Sequence, residues 1–352
     1  PRAIGAQVGE QYHHHDRDGR DDTVSDPAVN ATTLNETNET NANQKVKRRL
    51  VRRAKRVLLA LAAATTAIAL GCLGIFAAWL AGVHVPIASG ATYLRIEKIA
   101  PLTAADRASG GPTSPFFILL VGNDSRPGVG GARGDALHVL GVNPAKHEAT
   151  MIDIPRDTCW NGDKINAGNT KGPRAQANDV GGLVGVQISY VVDVDFAGFT
   201  SLVDGVGGVD VNVPTQMHDG FSGAFFSPGL QHMNGSQALS FSRDRHDFPT
   251  SDIVRTNNQG ILILDAMRQL RAKMQNAPGE FKLLALLGRH AQLDGIGIKD
   301  LYHLGRVAFS LNPDQIQNIT MPYTGGSCLG VGAAGPGLFA DFRDDGIVES
   351  PH

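Results

Sequence analysis

Three short apolar runs between residues 116 and 154 alternate with clusters of Asp and Arg, and they restrict the folds open to this chain. The runs are Phe116–Val121, Ala136–Val142 and Met151–Ile154. Their length and the Gly, Pro and Asn residues between them predict strands rather than helices. An antiparallel meander of these strands would gather carboxylates and guanidinium groups at one end of a sheet. These residues are Asp124, Arg126, Arg133, Asp135 and Arg156. Such a group suits a metal ion and a polyanion better than it suits a protein core.

Strand and helix patterns alternate after the meander. Ser189–Phe196 and Val209–Val213 have the composition of strands, and Phe196–Val206 between them has helical spacing and ends before two glycines. This alternation predicts an α/β layered domain. Three further helices and a last strand are expected at Val180–Gln187, Phe281–Leu287, Ile298–Leu311 and Ile316–Met321.

A second group of basic residues lies later in the chain. We place Arg243 and Arg245 in an extended segment that continues Gln237–Ser242, where residues two apart share one face. An exposed charged turn is the other interpretation of this segment.

The helix expected from Ile253 to about Met274 carries polar residues on its buried side. Its apolar stripe consists of Ile263, Met267, Leu270 and Met274. Counting back by whole turns places Arg255 and Gln259 on the same stripe. A buried charge is costly unless it has a partner. That partner is either a carboxylate of the protein or a phosphate, whose oxygens match a guanidinium fork.

The uncharged run Val57–Val83 has 27 residues and is long enough to cross a bilayer as one helix. It follows Lys45–Arg56, in which eight of twelve residues are basic, and this asymmetry places the N-terminus in the cytoplasm. A cleaved signal peptide has a shorter apolar core near the start of the chain. We therefore expect a single-pass protein of the cell membrane with its main domain outside the cytoplasm. The basic run is explained by the membrane, so we expect no nucleic-acid partner.

These features divide the chain into five segments. Residues 1–56 form a disordered cytoplasmic tail that ends in the basic segment, because residues 1–44 have almost no large apolar side chains. The membrane helix at 57–83 is followed by an extracytoplasmic linker at 84–114, which contains one strand-like piece, ATYLRIEKI. The main domain spans residues 115–325. A Gly-rich tail at 326–352 is expected to be mobile apart from a docking segment at Leu338–Phe342.

Cys159 and Cys328 are the two cysteines expected outside the cytoplasm, since Cys72 lies in the membrane span. An oxidising compartment favours a disulfide between them. Two separate buried thiols also fit the sequence. No Cys or His spacing indicates a zinc site.

Seven stretches of the chain, in this order, resemble the LytR-CpsA-Psr family of cell-wall glycopolymer ligases. They lie between residues 115 and 270 and read LLVGNDSR, ARGDALHVLGVNP, MIDIPRDT, KINAG, YVVDVDFAGFTSLVDGVGGVDVNVP, HMNGSQALSFSRDRH and RTNNQ. One such stretch would be a weak signal, but their number and order make the resemblance specific. Cys159 stands where the family often has an aromatic residue. This resembles the actinobacterial members and favours the disulfide.

The resemblance implies a three-layer α/β/α domain with a central mixed sheet and an apolar pocket for a polyprenyl chain. Members of the family transfer a glycan with its linking phosphate from a polyprenyl pyrophosphate carrier to a peptidoglycan hydroxyl. Mg²⁺ assists this reaction, Mn²⁺ is a plausible substitute, and a pyrophosphatase side activity is compatible with the same chemistry. The alternative is a non-enzymatic, membrane-anchored sensor or regulator of cell-wall assembly that binds polyprenyl phosphate.

The resemblance also assigns roles to residues of this chain. Asp124 and Asp135 correspond to Mg²⁺ ligands, and either of them could take the proton of the acceptor hydroxyl. The expected catalytic residues are Asp124, Asp135, Arg156, Arg243 and Arg245. The expected pyrophosphate-binding residues are Arg126, Arg133, Arg156, Arg243, Arg245, Arg255 and Gln259. The family often has Arg and Gln where this chain has Asn258 and Gly260, so we expect this pyrophosphate-binding site to have one positive charge fewer than is usual in the family.

Overall fold

The structure is a computed structural model, and it describes residues 45, 47, 48, 50–52, 55, 94–101, 103, 106, 112–125, 132–247, 251–273 and 291–349. Its contacts divide the chain into two units, Pro1–Trp79 and Leu80–His352. The described residues of the first unit are helical. The predicted tail at 1–44, membrane span at 57–83, Arg126 and helix at 281–287 lie outside the described residues. Among the residues that are described, no helix is both long enough and apolar enough to cross a membrane.

A seven-stranded mixed sheet forms the centre of the second unit. Its strands, in chain order, are β1 (Leu94–Lys98), β2 (Phe116–Asn123), β3 (Gly134–Asn143), β4 (Glu148–Asp153), β7 (Ile188–Asp195), β12 (Ala291–Asp294) and β13 (Gln317–Thr320). Their spatial order is β12-β1-β7-β2-β3-β4-β13. Two short strands between β4 and β7, β5 (Cys159–Trp160) and β6 (Asp163–Lys164), pair with each other outside this sheet. Strands β2, β3 and β4 pair antiparallel as neighbours, which confirms the predicted meander. Strand β1 lies inside the sheet, although the sequence analysis assigns its residues to a linker.

Both faces of the sheet are apolar, and helices cover each of them. On β2, Leu119 and Val121 belong to one core, whereas Ile118 and Leu120 contact the other core. Helices α1 (Pro173–Val184) and α6 (Gly335–Asp345) cover the first face. Helices α4 (Ser251–Lys273) and α5 (Ile298–Ser310) cover the second. Alternating side chains of a strand point to opposite faces, so this arrangement produces three layers.

Two small antiparallel ribbons lie beside α4. The first pairs β8 (Val209–Val213) with β11 (Gly229–Met233), and the second pairs β9 (Met217–Asp219) with β10 (Ala224–Phe226). Together with α2 (Phe196–Gly205) and α3 (Gly235–Arg243) they surround a third apolar core. Helix α4 contributes Leu262 to this core and Leu264 to the sheet core. Its buried surface is therefore wider than the predicted stripe.

The expectation that Arg243 and Arg245 share one extended segment is wrong, because Arg243 is the last residue of α3. Asn234 caps the helix by accepting a hydrogen bond from the main chain of Gln237, whose side chain bonds back to the main-chain N–H of Asn234. Two orphan donors are satisfied in this way, and the helix begins at a defined residue. The chain becomes extended only at Asp244.

The expectation of a mobile C-terminal tail is also wrong, because residues 335–345 form α6. The predicted docking segment is confirmed within it, since Leu338, Phe339 and Phe342 are buried in the core of the first face. The disulfide between Cys159 and Cys328 is present and joins residues 169 positions apart. Beside it, Cys159 donates to the carbonyl of Leu329. The segment that follows β4 is thereby attached to the segment that leads into α6.

Candidate active site

The register between β2 and β3 shifts where the two strands reach the polar edge of the sheet. Gly122 lies opposite Ala136 and Asn123 lies opposite Gly134, which leaves Asp135 as an extra residue on β3. Such a bulge turns a side chain away from the regular alternation of the strand and is common beside active sites. Asp135 is thus presented at the edge by the main chain itself.

Asp124 and Arg133 continue this edge beyond the last paired residues. The Asp124 carboxylate accepts a hydrogen bond of 3.1 Å from the main-chain N–H of Arg133, and the Asp124 N–H donates to the Arg133 carbonyl over 3.4 Å. The two residues therefore lie on adjacent strand ends, as the meander predicts. The Arg133 side chain is exposed.

Arg156 follows β4 and forms ion pairs with two carboxylates, those of Asp135 and Asp252. Its Nη1 lies 2.6 Å from Asp135 Oδ1, and its Nε lies 3.3 Å from Asp252 Oδ1 at the start of α4. Burial alone would lower the pKa of Arg156, but Asp135, Asp252 and Asp157 outweigh it and raise that pKa. Arg156 is held as a cation between the sheet edge and α4.

Arg255 is the most buried guanidinium of the site, with 5% of the residue exposed. Its Nη2 lies 2.7 Å from Asp252 Oδ1 and donates to the main-chain carbonyl of Asp135 over 3.2 Å. Burial lowers the pKa of Arg255, and the positive charges of Arg156 and Arg245 lower it further against the opposing effect of Asp252 and Asp135. Burial is the largest of these effects, so an anion at this position would offset the cost of burying the guanidinium.

Gln259 lies one helical turn beyond Arg255 and is 8% exposed. Its Nε2 donates to the carbonyl of Ser242 over 3.0 Å, which connects α4 to the end of α3. The predicted burial of Arg255 and Gln259 is confirmed. Gln259 therefore contacts the residue immediately before Arg243.

The two arginines of the later segment have different surroundings. Arg243 ends α3, and its guanidinium carbon lies 4.9 Å from the ring centroid of Phe196, a cation–π contact. Arg245 acts electrostatically on Arg255, and its main-chain N–H donates to Asp219 over 3.5 Å. We call Arg156, Arg245 and Arg255, which interact electrostatically, the guanidinium cluster. The contact of Arg243 is instead with Phe196.

Several buried polar atoms of the site have no hydrogen-bond partner within the described part of the protein. Besides atoms of Arg156, Asp244 and Asp252, they include Arg255 Nε, Gln259 Oε1 and both amide atoms of Asn258. Asn258 is fully buried. Buried polar atoms in folded proteins almost always have partners, and a group without one indicates a bound ion, water or ligand. The four named atoms belong to Arg255 and to two residues within about one turn of it on α4, as expected for a binding site.

Two acidic residues of this site, Asp252 and Asp193, were not predicted from the sequence. Asp252 bonds both Arg156 and Arg255, and its position three residues before Arg255 on one helix was the available signal. Asp193 lies on β7 and accepts a 2.7 Å hydrogen bond from Asn123, the residue before Asp124. Burial raises the pKa of Asp193 to about 6 against the opposing effects of Asn123 and Arg95.

A metal ion at this edge would need ligands beyond those of the protein. In the part of the chain that the structure describes, no group of three or more His, Cys, Asp and Glu side chains could hold a metal ion. Asp124 and Asp135 nevertheless lie on neighbouring strands and supply oxygen ligands. Mg²⁺ is commonly bound through one or two carboxylates together with substrate phosphates and water. This donor set fits Mg²⁺ in the presence of a phosphorylated substrate.

The motif order and the polar edge of the sheet correspond to a known family. Residues 88–334, well over half of the chain, match the family LytR_cpsA_psr. The chain belongs to this family. The strand meander, the bulged Asp135 and the buried Arg255 lie inside the matched region.

A curated relative extends this comparison to a named activity. TagU of Bacillus mycoides, named as a polyisoprenyl-teichoic acid–peptidoglycan teichoic acid transferase, is 36% identical to this chain over 154 residues. The match covers 42% of this chain and 50% of that protein. The chain thus spans about half the length of the curated relatives it matches.

Solved structures share the fold of this LytR_cpsA_psr protein. The LytR-Csp2A-Psr enzyme from Actinomyces oris has a TM-score of 0.58 and 21% identity, covering 72% of this chain and 97% of that chain. TagT bound to LI-WTA has a TM-score of 0.54 and 19% identity, covering 75% of this chain and 100% of that chain. The α/β fold with a mixed central sheet is common to them.

Proposed function

We propose that this protein transfers a glycan with its linking phosphate from a polyprenyl pyrophosphate carrier to a hydroxyl of peptidoglycan. One observation carries the proposal: the buried guanidinium of Arg255 shares Asp252 with Arg156, and its Nε has no hydrogen-bond partner in the described part of the protein. A pyrophosphate bears the charge that such a cluster lacks. The activity for which the TagU relatives are named supports the same reaction class.

The guanidinium groups bind and orient the pyrophosphate. Arg156 and Arg255 would each contact phosphate oxygens while Asp135 and Asp252 hold their side chains in place. Phosphoryl transfer requires positioning and charge neutralisation more than covalent participation of the enzyme. Arg243 and Arg245 would close the opposite side, since both belong to the segment that Gln259 attaches to α4.

Asp124 and Asp135 are the residues that would hold Mg²⁺, together with oxygens of the pyrophosphate. When bound, the ion supplies positive charge at the transferring phosphate. In our proposal Arg133 and Arg126 flank this edge. Mn²⁺ has the same preference for oxygen ligands and is expected to replace Mg²⁺.

The lipid part of the carrier is proposed to lie against the face of the sheet that α4 and α5 cover. The two helices pack apolar side chains against this face, and several of these side chains are only partly buried, including Ile263, Met267, Leu304 and Val307. The uncharged run Val57–Val83 would anchor the protein in the membrane that contains the carrier. The main domain then acts outside the cytoplasm, where peptidoglycan is the acceptor.

The experiment that tests this proposal uses the full chain in detergent with polyprenyl pyrophosphate that carries N-acetylglucosamine. Release of polyprenyl monophosphate should depend on Mg²⁺ and on added peptidoglycan fragments. Asp124→Ala and Arg156→Ala should each reduce release by about 10²–10³-fold. Arg306→Ala, which removes an exposed arginine of α5, serves as the matched control. Tight carrier binding with no turnover on any acceptor would instead support the non-enzymatic sensor.

A further inference from the structure

Three His–Asp pairs occur among the described residues, and two of them are poorly suited to proton transfer. In the pair His138–Asp153 the side chains are 1% and 0% exposed, so no substrate can reach them. In the pair His232–Asp210 the side chains are 61% and 45% exposed, so solvent competes for both partners. The distance between the imidazole Nδ1 and the carboxylate is 2.6 Å in each. Distance alone does not distinguish them from a catalytic pair.

The third pair, His246–Asp219, combines an accessible imidazole with a buried carboxylate. The His246 side chain is 42% exposed and the Asp219 side chain is 0% exposed. Asp219 Oδ2 lies 2.9 Å from His246 Nδ1. A carboxylate that is shielded from water fixes the orientation of an imidazole while the other ring nitrogen remains accessible. This is the arrangement found in enzymes that use histidine as a general base.

Asp219 is held in its ionised form by several donors. It accepts hydrogen bonds from the main-chain N–H groups of Phe221 at 2.8 Å and Arg245 at 3.5 Å. Burial alone would raise the pKa of Asp219, but the hydrogen bonds from His246, Phe221, Ser222 and Arg245 outweigh it and hold that pKa well below its usual range. An ionised Asp219 accepts the Nδ1–H of His246, which leaves the lone pair of the neutral imidazole on Nε2.

His246 lies on the same turn as an arginine of the candidate site. It directly follows Arg245, and consecutive Cα atoms are about 3.8 Å apart. Its ring packs against Phe221 with a centroid separation of 4.6 Å. Phe221 is 84% exposed and covers one side of the imidazole without enclosing it. The turn therefore places an oriented imidazole directly after an arginine of the candidate site in the chain.

Other ionisable groups lie on the same turn as His246 and on the hairpin that contains Asp219. Burial, together with Asp247 and Asp219, raises the pKa of Asp244 to about 7. The side chain of Asp247 accepts a hydrogen bond from the main-chain N–H of His218. Carboxylates near His246 stabilise the imidazolium that forms when it accepts a proton. The ionisable groups on this turn and hairpin are His218, Asp219, Asp244, Arg245 and Asp247.

We infer that His246, oriented by Asp219, is the proton acceptor for the hydroxyl in the transfer reaction. This inference rests on the proposed function. His246 Nε2 takes the hydroxyl proton while the hydroxyl oxygen forms a bond to the phosphorus that bears the glycan. The bond from that phosphorus to the bridging oxygen breaks, and its electron pair leaves on polyprenyl monophosphate. The products are a glycan phosphodiester of peptidoglycan, polyprenyl monophosphate and a protonated imidazole.

The test measures transfer from polyprenyl pyrophosphate that carries N-acetylglucosamine to peptidoglycan fragments, across a range of pH, with the full chain. His246→Ala should lower kcat by about 100-fold, a typical size for loss of a general base. The fall of the wild-type rate at acid pH should disappear in this variant. Added free imidazole should restore part of the rate, because it can occupy the vacated position. His232→Ala removes the exposed His–Asp pair and should leave rate and pH profile unchanged.

Asp219→Asn provides a second variant that keeps the imidazole. An asparagine amide can donate to Nδ1 and so favours the tautomer with a proton on Nε2, which lowers kcat without loss of carrier binding. Unchanged kcat and pH profile in His246→Ala would overturn the inference, as would loss of rate that free imidazole does not restore. Transfer by the wild-type chain in those cases leaves the proposed function intact. Absence of transfer by the wild-type chain itself would reject the proposed function and the base with it.

Discussion

The two halves of the candidate site are built by different kinds of contact. The meander half is held by main-chain register: the bulge between β2 and β3 places Asp135, and the strand end places Asp124. The later half, residues 243–259, is held by side chains such as Gln259, which donates to the carbonyl of Ser242. Main-chain pairing tolerates most substitutions, whereas a side-chain contact is lost with one. The later half should therefore be the more sensitive to mutation in its geometry.

The largest expected effect is on activity and comes from Arg255. Arg255→Met removes a guanidinium but retains most of the buried volume, and we expect transfer to fall by about 10²–10³-fold. Stability should be maintained or raised, because the pKa of Arg255 is lowered by burial and by neighbouring arginines. Thermal unfolding measured beside the transfer assay separates the two effects. A large loss of stability would show that Arg255 is a structural cation.

The disulfide should have the largest effect on stability. Replacing Cys159 and Cys328 together with Ser should lower the free energy of unfolding by about 4–5 kcal/mol in the chain-entropy model, because the bridge spans 169 residues. The bridge lies three residues after Arg156, so carrier affinity should fall as well. Denaturant unfolding of the oxidised and reduced wild type provides the matched comparison. Equal midpoints would contradict this account.

Two buried carboxylates, Asp193 beside the meander half and Asp244 in the later half, should make stability depend on pH in the same direction. Burial raises the pKa of Asp193 to about 6 and that of Asp244 to about 7, from an ordinary value of 3.8. Each folded carboxyl therefore binds a proton more readily than the unfolded one, so its contribution is favourable below pH 4 and is lost as pH rises through 6 or 7. Asp193→Asn and Asp244→Asn should each raise Tm at pH 8 and leave it unchanged at pH 4. A gain of similar size at both pH values would contradict the assigned ionisation.

The smallest stability effect is expected at Asn258. Neither of its amide atoms has a hydrogen-bond partner in the described residues, so Asn258→Ala should change the free energy of unfolding by less than about 1 kcal/mol. Carrier affinity should nevertheless fall, because this unpartnered amide lies within one turn of Arg255 on α4. Thr256→Ala is the control, because Thr256 lies two residues before Asn258 on α4 and its hydroxyl donates to the main-chain carbonyl of Asp252. Wild-type affinity in Asn258→Ala would exclude this residue from the site.

The sequence predicted the meander half well for a physical reason. Apolar runs with a period of two define strands, and antiparallel pairing then fixes which residues share an end of the sheet. Helical phase likewise placed Arg255 and Gln259 in the interior. The extended assignment of Arg243 failed because the capping residues Asn234 and Gln237, which begin the helix that Arg243 ends, were not used.

Contacts between distant parts of the chain account for what the sequence could not predict. Asp252 and Arg156 are separated by 96 positions and Asp219 and His246 by 27, and neither pairing follows from local pattern. The bulge at Asp135 also depends on two strands at once. Predicting which carboxylate meets which cation requires the fold, because burial and distance decide the pairing.

One measurement tests most directly the claim that both halves act on one substrate. A double-mutant cycle on kcat/KM for transfer would combine Arg156→Ala from the meander half with Arg255→Ala from the later half. Because both guanidinium groups bond Asp252 and would contact one pyrophosphate, the double variant should lose much less than the product of the single losses. Independent, multiplicative losses would contradict a shared site, and so would full activity in either single variant.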